Sequence, residues 1–232
     1  MKTIILFHRG DVFKYKENTI ESIVNIQTNK ILDNINYQFG VEFDIQLNKD
    51  NNLICYHDDT IKGLDIQIEK SNDTIIIEND INFLEDILKK ITSKDIIMNI
   101  ELKIYNLTLN KIHFLCNKLI LILKKYDLNF LLSSFNKEAI KYLLEKKIYK
   151  LGMIFFDKID NECKNLIPKL DYIIIDKNFT CLTDEYKDKN ILFYTLKKSN
   201  YDKELLNKYK FNKKIGFISD NVNELIKYLE DQ

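Results

Sequence analysis

The feature that most constrains the fold of this chain is an alternation of short apolar segments with helix-like segments. Apolar runs, as at residues 4–7, 96–102 and 172–176, have the length and the β-branched content of buried strands. Segments with an apolar stripe at helical spacing lie between them, as at residues 109–126. Short apolar strands separated by helices predict a parallel sheet that is covered on both faces.

The number of these units indicates a closed barrel. If the strands near residues 42 and 54 are one barrel strand and its return strand, the chain contains eight βα units. Eight units in 232 residues favour a small (β/α)8, or TIM, barrel, and a doubly wound open sheet is the alternative. We expect one domain over residues 1–232. Residues 58–82 are the least regular part, predicted to be a loop or insertion with a short hairpin around 74–77.

Composition and residue spacing argue against some classes of function. The formal net charge is zero and the lysines are spread along the chain, which argues against a nucleic-acid partner. The four cysteines are widely spaced without a C-x-x-C pair, so a zinc site is not expected. The first apolar run stops at His8, too early for a signal peptide, and residues 119–123 are too few to span a bilayer. We therefore predict a soluble cytoplasmic protein without a transmembrane segment, and its oligomeric state stays open.

Rare residue types cluster where the first strand ends. His8-Arg9-Gly10 follows the run at 4–7, and Arg9 is the only arginine in the sequence. Glu17-Asn18-Thr19 comes next. We predict that Asn18 is the N-cap of the following helix, with Glu21 as the partner in a capping box.

Two later strands carry paired charges. Side chains two positions apart on a strand share a face, so Glu42 and Asp44 point the same way, as do Glu101 and Lys103. The carboxyl ends of barrel strands are where such folds carry their sites. Three converging carboxylates repel one another unless a cation neutralises them, which predicts a hard divalent ion, Mg²⁺ or Ca²⁺. Lys103 beside them suits an anionic substrate group. Alone, either pair is also typical of a solvated strand end.

Two histidines end strands and are followed by polar residues. His8 ends the first strand and His57 ends the strand near residue 54. Two imidazoles near a metal can divide proton transfer near neutral pH, one accepting and the other donating. The sequence does not assign which histidine does which.

Taken in order, these motifs resemble the glycerophosphodiester phosphodiesterase family. The first half of the chain carries the stronger match. The residues that carry the resemblance are His8-Arg9-Gly10, Glu17-Asn18-Thr19 with Ser22, Gly40 to Asp44, Lys49-Asp50, His57-Asp58, Phe83 to Asp86 with Leu88, Asn99 to Lys103, Ser134-Phe135 and Gly216 to Asp220.

The resemblance implies a TIM barrel of the phospholipase-C-like phosphodiesterase type that cleaves glycerophosphodiesters to glycerol 3-phosphate and an alcohol. It also implies the roles of individual residues. Glu42, Asp44 and Glu101 would hold one divalent cation, His8 and His57 would be the acid–base pair, and Arg9 and Lys103 would hold phosphate oxygens with Glu17 in support.

The sequence departs from the family pattern at three places and leaves two other functions open. Lys16 replaces the usual proline before Glu17, Tyr194-Thr195 replaces a Trp-Thr pair, and no arginine follows His57-Asp58. One alternative is a lysophospholipase D-like activity on lysolipids, with an apolar apron formed by Ile66, Ile68 and residues 75–77. The other is a non-catalytic barrel that binds phosphodiesters.

Overall fold

A computed structural model of the chain describes residues 2–197 and 203–230. The strands, in chain order, are β1 (Thr3–His8), β2 (Tyr37–Leu47), β3 (Leu53–Cys55), β4 (Thr60–Ile61), β5 (Ile66–Gln67), β6 (Asn82–Phe83), β7 (Ile97–Leu102), β8 (Asn129–Ser134), β9 (Lys150–Phe155), β10 (Tyr172–Asp176), β11 (Asn190–Leu196) and β12 (Ile215–Ser219). The α-helices are α1 (Ile20–Val24), α2 (Asp73–Glu78), α3 (Leu84–Leu88), α4 (Leu109–Leu123), α5 (Lys137–Lys146), α6 (Asn161–Leu166), α7 (Leu182–Glu185), α8 (Lys203–Tyr209) and α9 (Val222–Glu230).

The strands form a closed parallel barrel. The sheet runs in the order β1, β12, β11, β10, β9, β8, β7, β2, and β1 then pairs in parallel with β2 to complete the ring. An open doubly wound sheet would leave both edge strands unpaired. The prediction of a (β/α)8 barrel in a single domain is therefore confirmed.

At the amino ends of the strands, apolar side chains fill the barrel interior. Inward-facing side chains alternate with outward-facing ones along each strand, and those near the amino ends are apolar, as at Ile4, Leu6 and Ile97. Glycine is required where strands approach closely, because a Cβ atom at Gly40 would lie 2.3 Å from the carbonyl oxygen of Ile97. Because side chains fill the amino end, the open space of the barrel interior lies at the carboxyl end of the strands.

The largest apolar core lies between the barrel and the helices. Outward-facing Phe7, Phe43, Phe193 and Phe217 are fully buried there. Burying each such ring contributes roughly 1.5–3 kcal/mol of transfer free energy. Within the described residues, no helix has both the length and the apolar character needed to cross a membrane.

The segment between β3 and β7 has more structure than the sequence indicates. A short hairpin pairs β4 with β5, and β6 pairs antiparallel with β3. The hairpin predicted around 74–77 is wrong, because these residues lie in α2. The side chain of Asn72 accepts a hydrogen bond from the Ile75 backbone at 3.0 Å and caps this helix. Ile76 then packs into a small core with Ile54 and Ile68, and this burial overrides the β propensity of the isoleucine run.

Candidate active site

A cluster of three buried carboxylates lies at the carboxyl end of β2 and β7. Glu42, Asp44 and Glu101 each offer an oxygen within 4.8 Å of the others. The parallel register of β2 and β7 places Asp44 directly beside Glu101. The strand periodicity turns these side chains into the barrel. The structure thus brings together the three residues that the sequence predicts as metal ligands.

Two cations balance part of this charge. Lys103 Nζ lies 2.5 Å from Glu101 Oε1 and 3.3 Å from Asp44 Oδ1. Arg9 Nε lies 3.4 Å from Asp44 Oδ2. Lys103 is largely buried, and although burial works to lower its pKa, Asp44 and Glu101 raise the pKa overall. The lysine therefore stays charged beside the cluster.

Lys103 and Arg9 do not stabilise the ionised forms of the three carboxylates equally. Burial, together with the neighbouring Asp44, raises the pKa of Glu42 well above its ordinary value. The same causes raise the pKa of Glu101 to about 7. Burial would also raise the pKa of Asp44, but Lys103 and Arg9 outweigh it and lower the value. An additional positive charge among these oxygens would relieve the repulsion, and an all-oxygen donor set fits a hard divalent cation.

The loop after β1 positions Arg9. Its backbone N–H donates to Glu42 Oε2 at 3.1 Å, and its Nη1 donates to Glu17 Oε2 at 3.0 Å. Arg9 and Gly10 both have positive φ angles, of 53° and 95°. A Cβ atom at Gly10 would lie 2.4 Å from Ser22 Oγ, so this turn requires glycine.

Asn18 has a different role from the predicted one. The N-cap of α1 is Thr19, whose capping box is completed by Ser22, not Glu21. Asn18 lies one residue earlier, with a φ of 57°. Its side chain donates to Asp44 Oδ2 and accepts from the Asp44 backbone, both at 2.9 Å. The prediction of Asn18 as the cap is therefore wrong, because its amide is engaged by a carboxylate from β2.

His8 is held by a residue from the other end of the chain. Its Nδ1 lies 2.5 Å from Asp220 Oδ1, just after β12. Its Nε2 faces the cluster, 3.9 Å from Glu42 Oε2 and 3.4 Å from Thr195 Oγ1. The aspartate fixes the orientation of the ring and leaves Nε2 as the nitrogen available for proton transfer.

His57 has a similar but more exposed arrangement. Its Nδ1 lies 2.6 Å from Asp58 Oδ1, and its backbone carbonyl accepts a hydrogen bond from the Tyr105 hydroxyl at 2.9 Å. Burial lowers the pKa of His57, although Asp44 works in the opposite direction. Both predicted histidines thus pair one ring nitrogen with a carboxylate.

These groups surround one cavity of about 210 Å³ at the mouth of the barrel. Six of the predicted site residues line it: His8, Arg9, Glu42, His57, Glu101 and Lys103. Asp44 contacts Arg9 and Lys103 beside the cavity, and Glu17 lies with Arg9 along a neighbouring groove.

Part of the cavity lining is apolar, and the isoleucines in it were not predicted. Ile154, Ile174 and Ile218 line it together with the ring of Tyr194, which meets Phe135 edge-on at 6.1 Å. The motifs that carry the family resemblance contain Asp220, Asn18 and Asn99, and Tyr194 lies at a departure from the family pattern, but no contact in the site was predicted for these four residues. For Asn99, Tyr194 and Asp220, period-two alternation along β7, β11 and β12 was the available signal of inward orientation, whereas Asn18 lies in a loop and has no such signal.

The fold and the site together define a class: (β/α)8-barrel proteins that carry buried carboxylates, two histidines and two cationic side chains at the barrel mouth. Comparison with known proteins identifies the family that the chain resembles. A sequence profile of the glycerophosphoryl diester phosphodiesterase family matches residues 8–65. The chain is similar to this family.

Three relatives illustrate the similarity. A glycerophosphodiester phosphodiesterase of Caldanaerobacter subterraneus subsp. tengcongensis is 28% identical over 176 residues, covering 67% of this chain and 68% of the relative. The crystal structure of such an enzyme from Thermotoga maritima is 25% identical, covers 98% of both chains and superposes with a TM-score of 0.72. An Oleispira antarctica phosphodiesterase, solved in complex with the product sn-glycerol-3-phosphate, is 21% identical, with a TM-score of 0.77 over 100% of this chain and 98% of that one.

Proposed function

We propose that this protein hydrolyses glycerophosphodiesters to glycerol 3-phosphate and an alcohol in a reaction that depends on a divalent cation. The observation that carries the proposal is the convergence of three carboxylates, two carboxylate-paired imidazoles and two cationic side chains on one cavity. The similarity to this family supports it, as does the glycerol 3-phosphate product in the Oleispira antarctica structure of the same fold.

In this proposal the acidic cluster holds the cation. Glu42, Asp44 and Glu101 supply carboxylate oxygens only, which favours Mg²⁺ or Ca²⁺ over softer metals. When bound, the ion offsets negative charge that accumulates on the phosphoryl group. Asn18 holds Asp44 through two hydrogen bonds, and the Arg9 backbone holds Glu42 through one.

Arg9 and Lys103 would bind the phosphoryl oxygens. Both line the cavity beside the carboxylates, and both remain charged because acidic neighbours stabilise them. Glu17 Oε2 accepts a hydrogen bond of 3.0 Å from Arg9 Nη1 and thereby orients the guanidinium. Fixed positive charge in a partly dry cavity stabilises a five-coordinate phosphoryl group more than mobile water does.

The histidines would move the protons. One imidazole accepts a proton from the attacking water or from the glycerol 2-hydroxyl, and the other donates a proton to the departing alkoxide. Asp220 and Asp58 each accept the Nδ1 proton of one ring, so that Nε2 is the nitrogen that exchanges protons with substrate. Both rings line the cavity, as this division of work requires.

The test is hydrolysis of glycerophosphocholine in Mg²⁺ or Ca²⁺ and in EDTA. We expect turnover with the cation and its loss in EDTA. His8→Ala and His57→Ala should each lower kcat at least ~100-fold. The matched control is His113→Ala, because the third histidine lies on α4 and stacks on Tyr142 at 4.1 Å, outside the cavity. Metal-independent turnover, or full activity of His8→Ala, would contradict the proposal.

The lysolipid alternative has weaker support. The predicted apron is wrong in part, because Ile68 and Ile76 are buried in the small core between β3 and β7. We expect lysophosphatidylcholine to be cleaved more slowly than glycerophosphocholine, and the reverse order would favour the alternative. A non-catalytic barrel would have no need for two imidazoles that are each paired with a carboxylate.

A further inference from the structure

One buried polar group in the cavity is not used by the chemistry described above. Asn99 lies on β7, two positions before Glu101 and on the same inward face. Its side chain lines the cavity and is fully buried. In the described part of the chain, its Nδ2 has no hydrogen-bond partner.

This group differs from the other buried atoms of the site. Arg9 Nε and Glu101 Oε1 also lack a hydrogen bond of good geometry, but each has an ion-pair partner, at 3.4 Å and 2.5 Å. Asn99 Nδ2 has neither kind of contact among the described residues. A buried donor without a partner is costly and rare in folded proteins, so it calls for a ligand oxygen.

Ser133 determines which way the amide faces. The Ser133 hydroxyl, on the adjacent strand β8, is fully buried and donates to Asn99 Oδ1 at 2.8 Å. This contact turns the amide N–H groups toward the cavity. The reverse orientation would add a carbonyl oxygen to a cavity that already carries the carboxylates of Glu42 and Glu101.

The surroundings indicate the kind of oxygen that Asn99 meets. Charged donors for phosphoryl oxygens are already supplied by Arg9 and Lys103. Asn99 is a neutral donor, and Ile154 and Ile174 line the same cavity. A neutral donor in a partly apolar cavity suits a hydroxyl on a short carbon chain better than it suits an anion.

On the basis of the proposed function, we propose that Asn99 is a specificity-determining residue whose side-chain N–H donates to a glycerol hydroxyl of the substrate. Ser133 is the positioning residue that keeps the donor aimed. A site built to hydrogen-bond a hydroxyl discriminates strongly against an analogue that lacks it.

The decisive experiment measures binding and does not require turnover. Calorimetric titration in Ca²⁺ compares sn-glycerol 3-phosphate with propyl phosphate, which has the same phosphate group and carbon chain but no hydroxyls. The wild type should prefer sn-glycerol 3-phosphate. In Asn99→Leu, which is similar in volume, that preference should fall about 10- to 100-fold. Equal weakening of both ligands, or an unchanged preference, would overturn the assignment.

Two further variants keep the test decisive. Ser133→Ala should also lower the preference for sn-glycerol 3-phosphate over propyl phosphate, by a smaller factor. If Asn99→Leu does not fold, Ser133→Ala takes its place in the test. Ser134→Ala is the matched control, because this adjacent buried hydroxyl donates to the Leu102 carbonyl and points away from the cavity. If glycerophosphocholine is not hydrolysed but the binding preference follows these variants, the proposed function fails while the assignment of Asn99 holds.

Discussion

Asn18 and Asp44 are joined by two hydrogen bonds of 2.9 Å, one from the Asn18 side-chain amide to Asp44 Oδ2 and one from the Asp44 backbone to Asn18 Oδ1. Both residues are buried, and the left-handed backbone at Asn18 aims the amide at β2. The β1–α1 loop is thereby fastened to the carboxylate cluster. A residue that resembles a helix cap in the sequence therefore orients a proposed metal ligand.

Removing the Asn18 amide should weaken cation binding. Asn18→Gly keeps the left-handed backbone conformation accessible, so a loss of cation affinity reports the removal of the side chain alone. Because hydrogen bonds to metal-binding carboxylates fix their direction, we expect Ca²⁺ or Mn²⁺ affinity to fall about 10- to 100-fold by calorimetry. Asn25→Ala, which removes only an exposed contact to the Glu21 carbonyl, should leave affinity unchanged. Equal losses in both variants would contradict the role of Asn18.

Neutralising Asp220 should slow the reaction without abolishing substrate binding. Asp220→Asn removes the carboxylate that lies 2.5 Å from His8 Nδ1 and orients the ring, so we expect kcat to fall about 10- to 100-fold with little change in KM. Asp58→Asn should have a smaller effect, because the Asp58 side chain is 60% exposed against 29% for Asp220. The opposite ranking would argue against Asp220 as the stronger partner.

A bound cation should stabilise the fold through the acidic cluster. Thermal melting of the wild type should shift upward with Ca²⁺, corresponding to about 2.7 kcal/mol at a hundredfold excess over Kd. Glu42→Gln should lose most of this shift, yet its metal-free form should melt no lower than the wild type above pH 7. The reason is that burial of the ionised Glu42 is unfavourable, as its raised pKa indicates. Glu78→Gln, on the exposed face of α2, should retain the full shift.

Glu101 should contribute a loss of stability to the metal-free protein as the pH rises from about 4.5 to about 7. Burial and Asp44 raise the pKa of Glu101 to about 7 in the folded state, from an ordinary value of 4.5. The folded protein therefore binds more protons than the unfolded chain in this window, and its free energy of unfolding falls with rising pH. Urea titrations in EDTA at pH 5 and pH 7.5 would measure this difference. Glu101→Gln should reduce the pH dependence, whereas the exposed Glu145→Gln should not.

Gly10 should tolerate alanine less well than Gly63. Both have positive φ angles, of 95° and 89°, so either substitution should cost about 1–2 kcal/mol from backbone strain. A Cβ atom at Gly63 meets no atom within 4 Å, but at Gly10 it would lie 2.4 Å from Ser22 Oγ. Gly10→Ala should therefore lose more stability in urea denaturation, and it should also lower activity by displacing Arg9. Equal costs would show that the contact with Ser22 can relax.

The sequence by itself determined the architecture and the proposed reactive groups. Alternation of strand and helix predicts the barrel, since each apolar strand must be covered on both faces. The period of two along β2 and β7 places Glu42 with Asp44 and Glu101 with Lys103. These are local properties, because a few neighbouring residues establish both the period and the direction of each side chain.

Only the tertiary structure decided how those groups are held. Closure of the barrel brings Asp220 to His8 across 212 positions, and the β1–α1 loop brings Asn18 to Asp44. Residues 73–78 are helical because of a cap and a small apolar core, not because of their own propensity. Such contacts depend on distances between segments far apart in the chain, and no local pattern in the sequence records those distances.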